Sequence, residues 1–187
     1  MKNRIMKSNR LKIVLFGDPV LREVAKPVTV FHHKLHALID SMAGTLFRRD
    51  DGAALAAPQV GVLKRIVVID YENEYLELIN PEITASGGKQ KGFEGCLSYP
   101  GYIGSVPRFE TVTVKFQDRD GNEHIIERSG NMARCLQHEI DHLDGVLFID
   151  RMDEDFLTHS DTDEEVSLEA ALGLANGKTI TGQPQTV

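Results

Sequence analysis

His138 and His142 stand four residues apart in the run Gln137-His138-Glu139-Ile140-Asp141-His142-Leu143. On a helix that spacing puts both imidazoles on one face, one turn apart, where they can hold a single metal ion together. Glu139, beside the first of them, is placed to handle the proton of a water held by that ion. The H-E-x-x-H arrangement points to a metal-dependent hydrolase; the alternative is two histidines that fall together on a buried helix face. Two histidines do not complete a catalytic site. A third protein ligand is needed, with one position left open for water.

Six residues beyond His142, where a metzincin-type protease carries a third histidine, stands Phe148, which cannot bind a metal. Glu164, Glu165 and Glu169 could serve as a thermolysin-type ligand, but they lie in a segment that reads as poorly ordered. Cys135 lies seven residues before His142. At about 1.5 Å per residue that is roughly 10 Å along a helix, too far for both to reach one ion through bonds of about 2.0–2.3 Å. Cys135 instead shares the His138 face and can wall the site. Cys96 follows Gly95 in a segment remote in sequence and is free to approach the helix from the side. Cys96, His138 and His142 then form a three-ligand set with an open position. The other reading of Cys96 is a small buried hydrophobe.

These residues need a scaffold. The spacing predicts a helix over about 132–143, led in by Gly130-Asn131 and stopped by Gly145. Leu35, Leu38, Ile39, Met42 and Leu46 recur at helical spacing and predict a helix over 34–49, ended by Asp50-Asp51-Gly52. His32, His33 and His36 near its start read as surface residues. The β-branched run Ile66-Val67-Val68-Ile69 predicts a buried strand, with Tyr75–Ile79 pairing back and Asn80-Pro81 breaking it before a further extended piece over 82–85. Thr111–Gln117 alternates like a half-buried strand and returns through the turn at 118–122 along 124–127. Short strands are expected at Ile13–Phe16 and Val146–Ile149, and residues 1–10 read as frayed. Residues 52–61 are small and lie between glycines, so a backbone or ligand can come close; Gln59 is the one polar side chain there that can donate a hydrogen bond. The expected fold is α+β, with antiparallel sheets around the central H-E-x-x-H helix, the 34–49 helix packed outside, and a catalytic domain over 1–152. Residues 153–187 read as an acidic, partly disordered tail. It has capping-box spacing at Thr162 and Glu165, a short helix over 166–175, and a polar, disordered end from Gly177.

The 187 residues suit one domain with a sizeable core, and 41% apolar with 26% charged residues is ordinary for a soluble protein. A net charge of −7 with no basic concentration argues against a nucleic-acid groove. No apolar run approaches a membrane span of roughly 18 residues, and no apolar signal segment follows the basic start. With two cysteines and no export signal, the expected compartment is the reducing cytoplasm, where a free thiolate ligand is favoured over a disulfide.

At three segments, in order, the chain resembles the peptide deformylase family: Gly52-Ala53-Ala54-Leu55-Ala56-Ala57-Pro58-Gln59, Glu94-Gly95-Cys96-Leu97-Ser98, and the Gln137–Leu143 run. Gly17-Asp18-Pro19-Val20-Leu21-Arg22 and Val106-Pro107-Arg108 are also similar, and the resemblance spans roughly residues 11–152. It implies removal of the formyl group from the N-terminal formylmethionine of newly synthesised polypeptides. Glu139 would act as general base and then acid, with the Gln59 side-chain amide and the Leu97 backbone N–H as oxyanion donors. It also implies one Fe²⁺ per chain, which Zn²⁺, Ni²⁺ or Co²⁺ can replace. The edge at Ala53, Ala54 and Leu55 would meet the substrate backbone, with Gly95 beside it and Cys135 walling a methionine pocket while Arg134 faces elsewhere. Glu94 and Arg108 would pair to steady the cysteine segment. The partners implied are N-formylmethionyl peptides or nascent chains, with transient contact at the ribosome; no DNA and no membrane is implied. The sequence departs from the family at Ala54, where a second glycine is usual: a methyl there crowds the peptide or forbids a positive φ. The alternatives are a zincin-type metallopeptidase, a structural zinc protein, and an inactive metal-binding deformylase relative.

Overall fold

The computed structural model describes Ile5, residues 8–49 and residues 52–175. The helix stop at Asp50-Asp51, most of the frayed start and the disordered end from Gly177 therefore lie outside the described residues. Among the described residues, helices α1 (His33–Leu46), α2 (Gly130–Leu143) and α3 (Leu168–Ala175) accompany nine strands. Strands β1 (Ala54–Ala56), β2 (Ile66–Tyr71), β3 (Glu74–Gly87), β6 (Thr111–Gln117) and β7 (Glu123–Ser129) form one antiparallel sheet in the order β1-β2-β3-β6-β7. A second sheet runs β4-β5-β8-β9, from β4 (Gln90–Cys96), β5 (Tyr99–Arg108), β8 (Phe156–His159) and β9 (Glu165–Ser167).

The continuous apolar run of β2 is explained by burial on both faces. Ile66 and Val68 pack with Leu35, Ile39, Met42 and Leu46 of α1, while Val67 and Ile69 pack with Met132, Leu136, Ile140 and Leu143 of α2. Strand side chains alternate between faces, so one strand serves two helices. The expected α+β architecture is therefore present, with the H-E-x-x-H helix enclosed and α1 outside.

Several local expectations are corrected. Residues 13–16 form no sheet strand and enter a turn at Phe16: the Val14 N–H donates to the Gln59 carbonyl at 2.8 Å and the Phe16 N–H to the Ser98 carbonyl at 2.8 Å. Asn80-Pro81 does not end the hairpin, because β3 continues through it with a register shift between Ile79 and Glu82. Asn80 takes a φ of 52°, which asparagine tolerates, and its side chain bonds both the N–H and the carbonyl of Val28 at 2.8 Å. Residues 146–149 give a 3-10 turn, Phe148–Asp150, in place of a strand. At the chain's start Ile5 is buried, and the Ser8 hydroxyl donates to the Asp40 carbonyl of α1 at 2.8 Å.

Beyond Met152 the acidic segment joins the domain. Strand β8 pairs with β5 and β9 with β8, and Leu157 is buried with Val106 and Tyr99 in a third apolar cluster. The helix cap is Ser167, whose hydroxyl accepts the Ala170 N–H at 3.2 Å, and Thr162 lies in the turn before β9. The acidic side chains are mostly exposed while the apolar ones between them supply the contact, which charge counting hides.

Candidate metal centre

Helix α2 carries His138 and His142 side by side, with ring centroids 4.9 Å apart. Strand β4 brings Cys96 to them at its last residue, where the register slips between Gly95 and Cys96 as the chain turns into β5. Cys96 Sγ lies 3.3 Å from His142 Nε2, and one ligand atom from each of Cys96, His138 and His142 lies within 4.8 Å of the others. His138 Nδ1 is 2.8 Å from Glu94 Oε2, which leaves its Nε2 for a metal. Thiolate and imidazole are ligands suited to Fe, Zn, Ni and Co. Burial alone would raise the Cys96 thiol, but the charge of His142 and hydrogen bonds from both histidines bring it well below its usual range, favouring the thiolate a metal needs.

Glu139 is buried beside this group, and its Oε2 has no hydrogen-bond partner. Burial pushes its carboxyl above the usual range. An orphaned carboxylate oxygen next to three convergent ligands fits a metal with a reacting molecule bound to it. Among the described residues the convergent group has three members, whereas a structural zinc site closes with four. Phe148, at the metzincin ligand position, lies nearly parallel to the His138 ring with centroids 6.1 Å apart.

A cleft of about 400 Å³ opens over the site. Gln59, Leu97 and Glu139 line it at the metal end, and Ala53, Ala54 and Gly95 along its length. The Gln59 amide is held in place: its Oε1 accepts the Ala56 N–H at 2.8 Å, and its Nε2 donates toward Ser98 Oγ at 3.3 Å and Cys96 Sγ at 3.4 Å. Cys135 lines the cleft wall with Tyr71 and Asn131; burial, followed by the nearby Glu139, holds its thiol well above the usual range, so it is a neutral wall. Leu55 is absent from the cleft: its side chain is fully buried in the cluster beneath α1. The Asp70 N–H bonds the Ala53 carbonyl, so the alternation of an antiparallel pair turns the backbone groups of Leu55 toward β2 and those of Ala54 toward the open edge. Ala54 has no positive φ. The methyl therefore brings no backbone strain, and only its bulk at the cleft remains.

Arg134 does not face away. It lines the cleft beside Cys135 and donates to Glu94 Oε1 at 3.1 Å and to the Val106 carbonyl at 2.8 Å. The Glu94–Arg108 pair is present and buried, bidentate at 2.8 and 3.0 Å. Burial by itself would raise the Glu94 carboxyl, but hydrogen bonds from Arg108 and His138 bring it down to about 2. Arg108 continues to Asp141 at 2.5 Å, and Asp141 to Arg151 at 2.9 Å. The contact of Glu94 with His138 was not evident from the sequence. Its one signal is strand alternation, which puts Glu94 and Cys96, two apart, on one side of β4.

The family model described as polypeptide deformylase matches residues 10–156. The peptide deformylase of Heliobacterium modesticaldum is 51% identical over 144 residues, covering 77% of this chain and 95% of its own. That of Thermomicrobium roseum is 46% identical over 171 residues, 86% of this chain and 97% of its own. Among solved structures, the Thermotoga maritima peptide deformylase superposes with a TM-score of 0.76 at 43% identity, covering 78% of this chain and 99% of that one. The Synechococcus elongatus enzyme in complex with actinonin gives 0.76 at 39% identity, covering 92% and 87%. The convergent Cys96, His138 and His142, the buried Glu139 and these likenesses agree: the chain belongs to the peptide deformylase family, hydrolases that remove the formyl group from an N-terminal formylmethionine.

Proposed function

We propose that Cys96, His138 and His142 hold one Fe²⁺, which Zn²⁺, Ni²⁺ or Co²⁺ can replace, and that Glu139 is the acid–base group of the deformylation this enzyme carries out. The observation that carries the reading is the convergence of those three ligand atoms beside the unpartnered, buried Glu139 Oε2. When bound, the metal supplies a water activated near neutral pH and polarisation of the formyl carbonyl. Glu139 takes the proton of the attacking water and returns it to the leaving amine; its raised affinity for protons suits it to carry one between the two steps. The Gln59 amide and the Leu97 N–H donate to the oxyanion that forms on the formyl oxygen. The peptide backbone lies along the free edge of β1 at Ala54, opposite Gly95 of β4, while its methionine side chain enters the pocket walled by Cys135 and Tyr71.

Ferrous iron beside a thiolate makes the centre sensitive to oxygen. Both cysteines are free, in keeping with a reducing cytoplasm, where newly synthesised chains are met with transient contact at the ribosome. No helix among the described residues is long and apolar enough to cross a membrane. Formate release from formyl-Met-Ala-Ser tests the reading, with protein purified without oxygen and loaded with Fe²⁺. Release that is lost in Glu139→Ala at one metal per chain supports it. An active Glu139→Ala removes the acid–base role, and unchanged metal content in Cys96→Ser moves the third ligand elsewhere.

A further inference from the structure

The two oxyanion donors belong to different sheets. Gln59 sits in the 3-10 turn Ala57–Val60 that follows β1 in the first sheet, and Leu97 in the turn between β4 and β5 of the second. Residues 14–16 lie across both turns. The Val14 N–H donates to the Gln59 carbonyl at 2.8 Å, and two residues on the Phe16 N–H donates to the Ser98 carbonyl, also at 2.8 Å. The two N–H groups stand two residues apart and reach carbonyls in different turns, so one short run grips both. Leu15 between them is 56% exposed, whereas the Phe16 ring meets Tyr99 edge-on at 4.9 Å. The side-chain bond from Gln59 Nε2 to Ser98 Oγ closes the same loop from the cleft side.

We infer that Val14 and Phe16 are positioning residues that fix the spacing between the two oxyanion donors, Gln59 and Leu97. The inference rests on the donor roles proposed above. An oxyanion donor acts only at about 2.7–3.1 Å from the developing charge, and a displacement of roughly 1 Å can cost about 10²-fold in rate. The two turns belong to different sheets, tied on one side by the Gln59 side chain to Ser98 and Cys96 and on the other by the backbone bonds of residues 14 and 16. The backbone bonds from Val14 and Phe16 limit how far one turn can shift against the other. The bonds act on groups used in the transition state, so their loss lowers kcat and leaves KM in place.

The test replaces the N–H of residue 14, or of residue 16, by an ester oxygen carrying the same side chain, in the full-length Fe²⁺ enzyme. Either ester is expected to lower kcat for formyl-Met-Ala-Ser by about tenfold or more while KM stays within about threefold, with metal per chain unchanged. Val14→Pro and Phe16→Pro remove the same donors, and Val14→Ala and Phe16→Leu, which keep the N–H, restore most of kcat. In a Gln59→Ala background the ester at 14 costs less than about threefold, because the donor it places is gone. An ester that keeps the wild-type kcat overturns the positioning role, as does a loss that persists undiminished in Gln59→Ala. A Gln59→Ala enzyme with undiminished kcat overturns the donor reading itself, and the positioning role with it.

Discussion

Helix α2 meets the two sheets by different physics. Toward the first it turns Met132, Ala133, Leu136, Ile140 and Leu143, all within one apolar cluster with Val67, Ile69, Val112 and Val114. Toward the second it turns Arg134, His138 and Asp141, which join Glu94, Arg108 and Arg151 through short hydrogen bonds. Apolar contact is non-directional and holds the helix down. Buried ionic hydrogen bonds are directional, and they fix how the His138 ring is turned. The difference teaches that one side of the helix secures the fold while the other aims the ligands, and that the two can be disturbed separately.

The strongest test of that division lies at the metal itself. Glu139→Ala should lower kcat by about 10²–10⁴-fold with metal content and melting temperature kept, as measured by formate release, metal analysis and calorimetry. A collapse of the fold would mean that the catalytic side also holds the helix in place. On the apolar side, Leu136→Ala should cost about 2–5 kcal/mol in urea unfolding, with the folded fraction still binding metal as tightly as before. On the ionic side, Glu94→Gln should weaken metal affinity by about 10–100-fold in a chelator competition, because His138 loses the partner that orients its ring. The same variant should alter acid stability. The Glu94 carboxyl sits at about 2 in the fold against a usual 4.5. Its contribution is therefore complete above about pH 4.5 and is lost as pH falls toward 2, and in Glu94→Gln that part of the acid limb should disappear from a plot of melting temperature against pH. The smallest effect is expected at Ala54→Gly, which removes one methyl from the edge of the apolar cluster where it borders the cleft: KM should fall by less than about tenfold at constant kcat. An unchanged KM would mean that the methyl does not crowd the peptide.

Much of the convergent Cys-His-His group was legible because it depends on local spacing. A spacing of four puts His138 and His142 on one helix face, and a spacing of seven keeps Cys135 and His142 from sharing an ion, without any knowledge of the fold. The α1 and β2 patterns were legible for the same reason, since burial writes its period into the sequence. What was hidden depends on pairing at a distance. The β4–β5 hairpin is rich in Gly and Pro and carries exposed Phe93 and buried Glu94 and Arg108, the reverse of a simple apolar alternation. Arg134 read as facing elsewhere because it stands one residue along the helix from Cys135, and only the carbonyls and carboxylates of the second sheet show why it is buried beside the cleft. Leu55 lay within a matching motif, yet motif membership does not tell which residue of a strand faces the cleft.

The free edges of β1 and β4 have a consequence for timing. Each is the last strand of its sheet, and both border the cleft, so two unpaired strand edges are open there. A chain can pair with such an edge only while several of its first residues are unpaired and extended. Folding of the client takes those residues away. The edges therefore act as a clock: a polypeptide is accessible early in its life, and one that buries its start before meeting the enzyme keeps its formyl group.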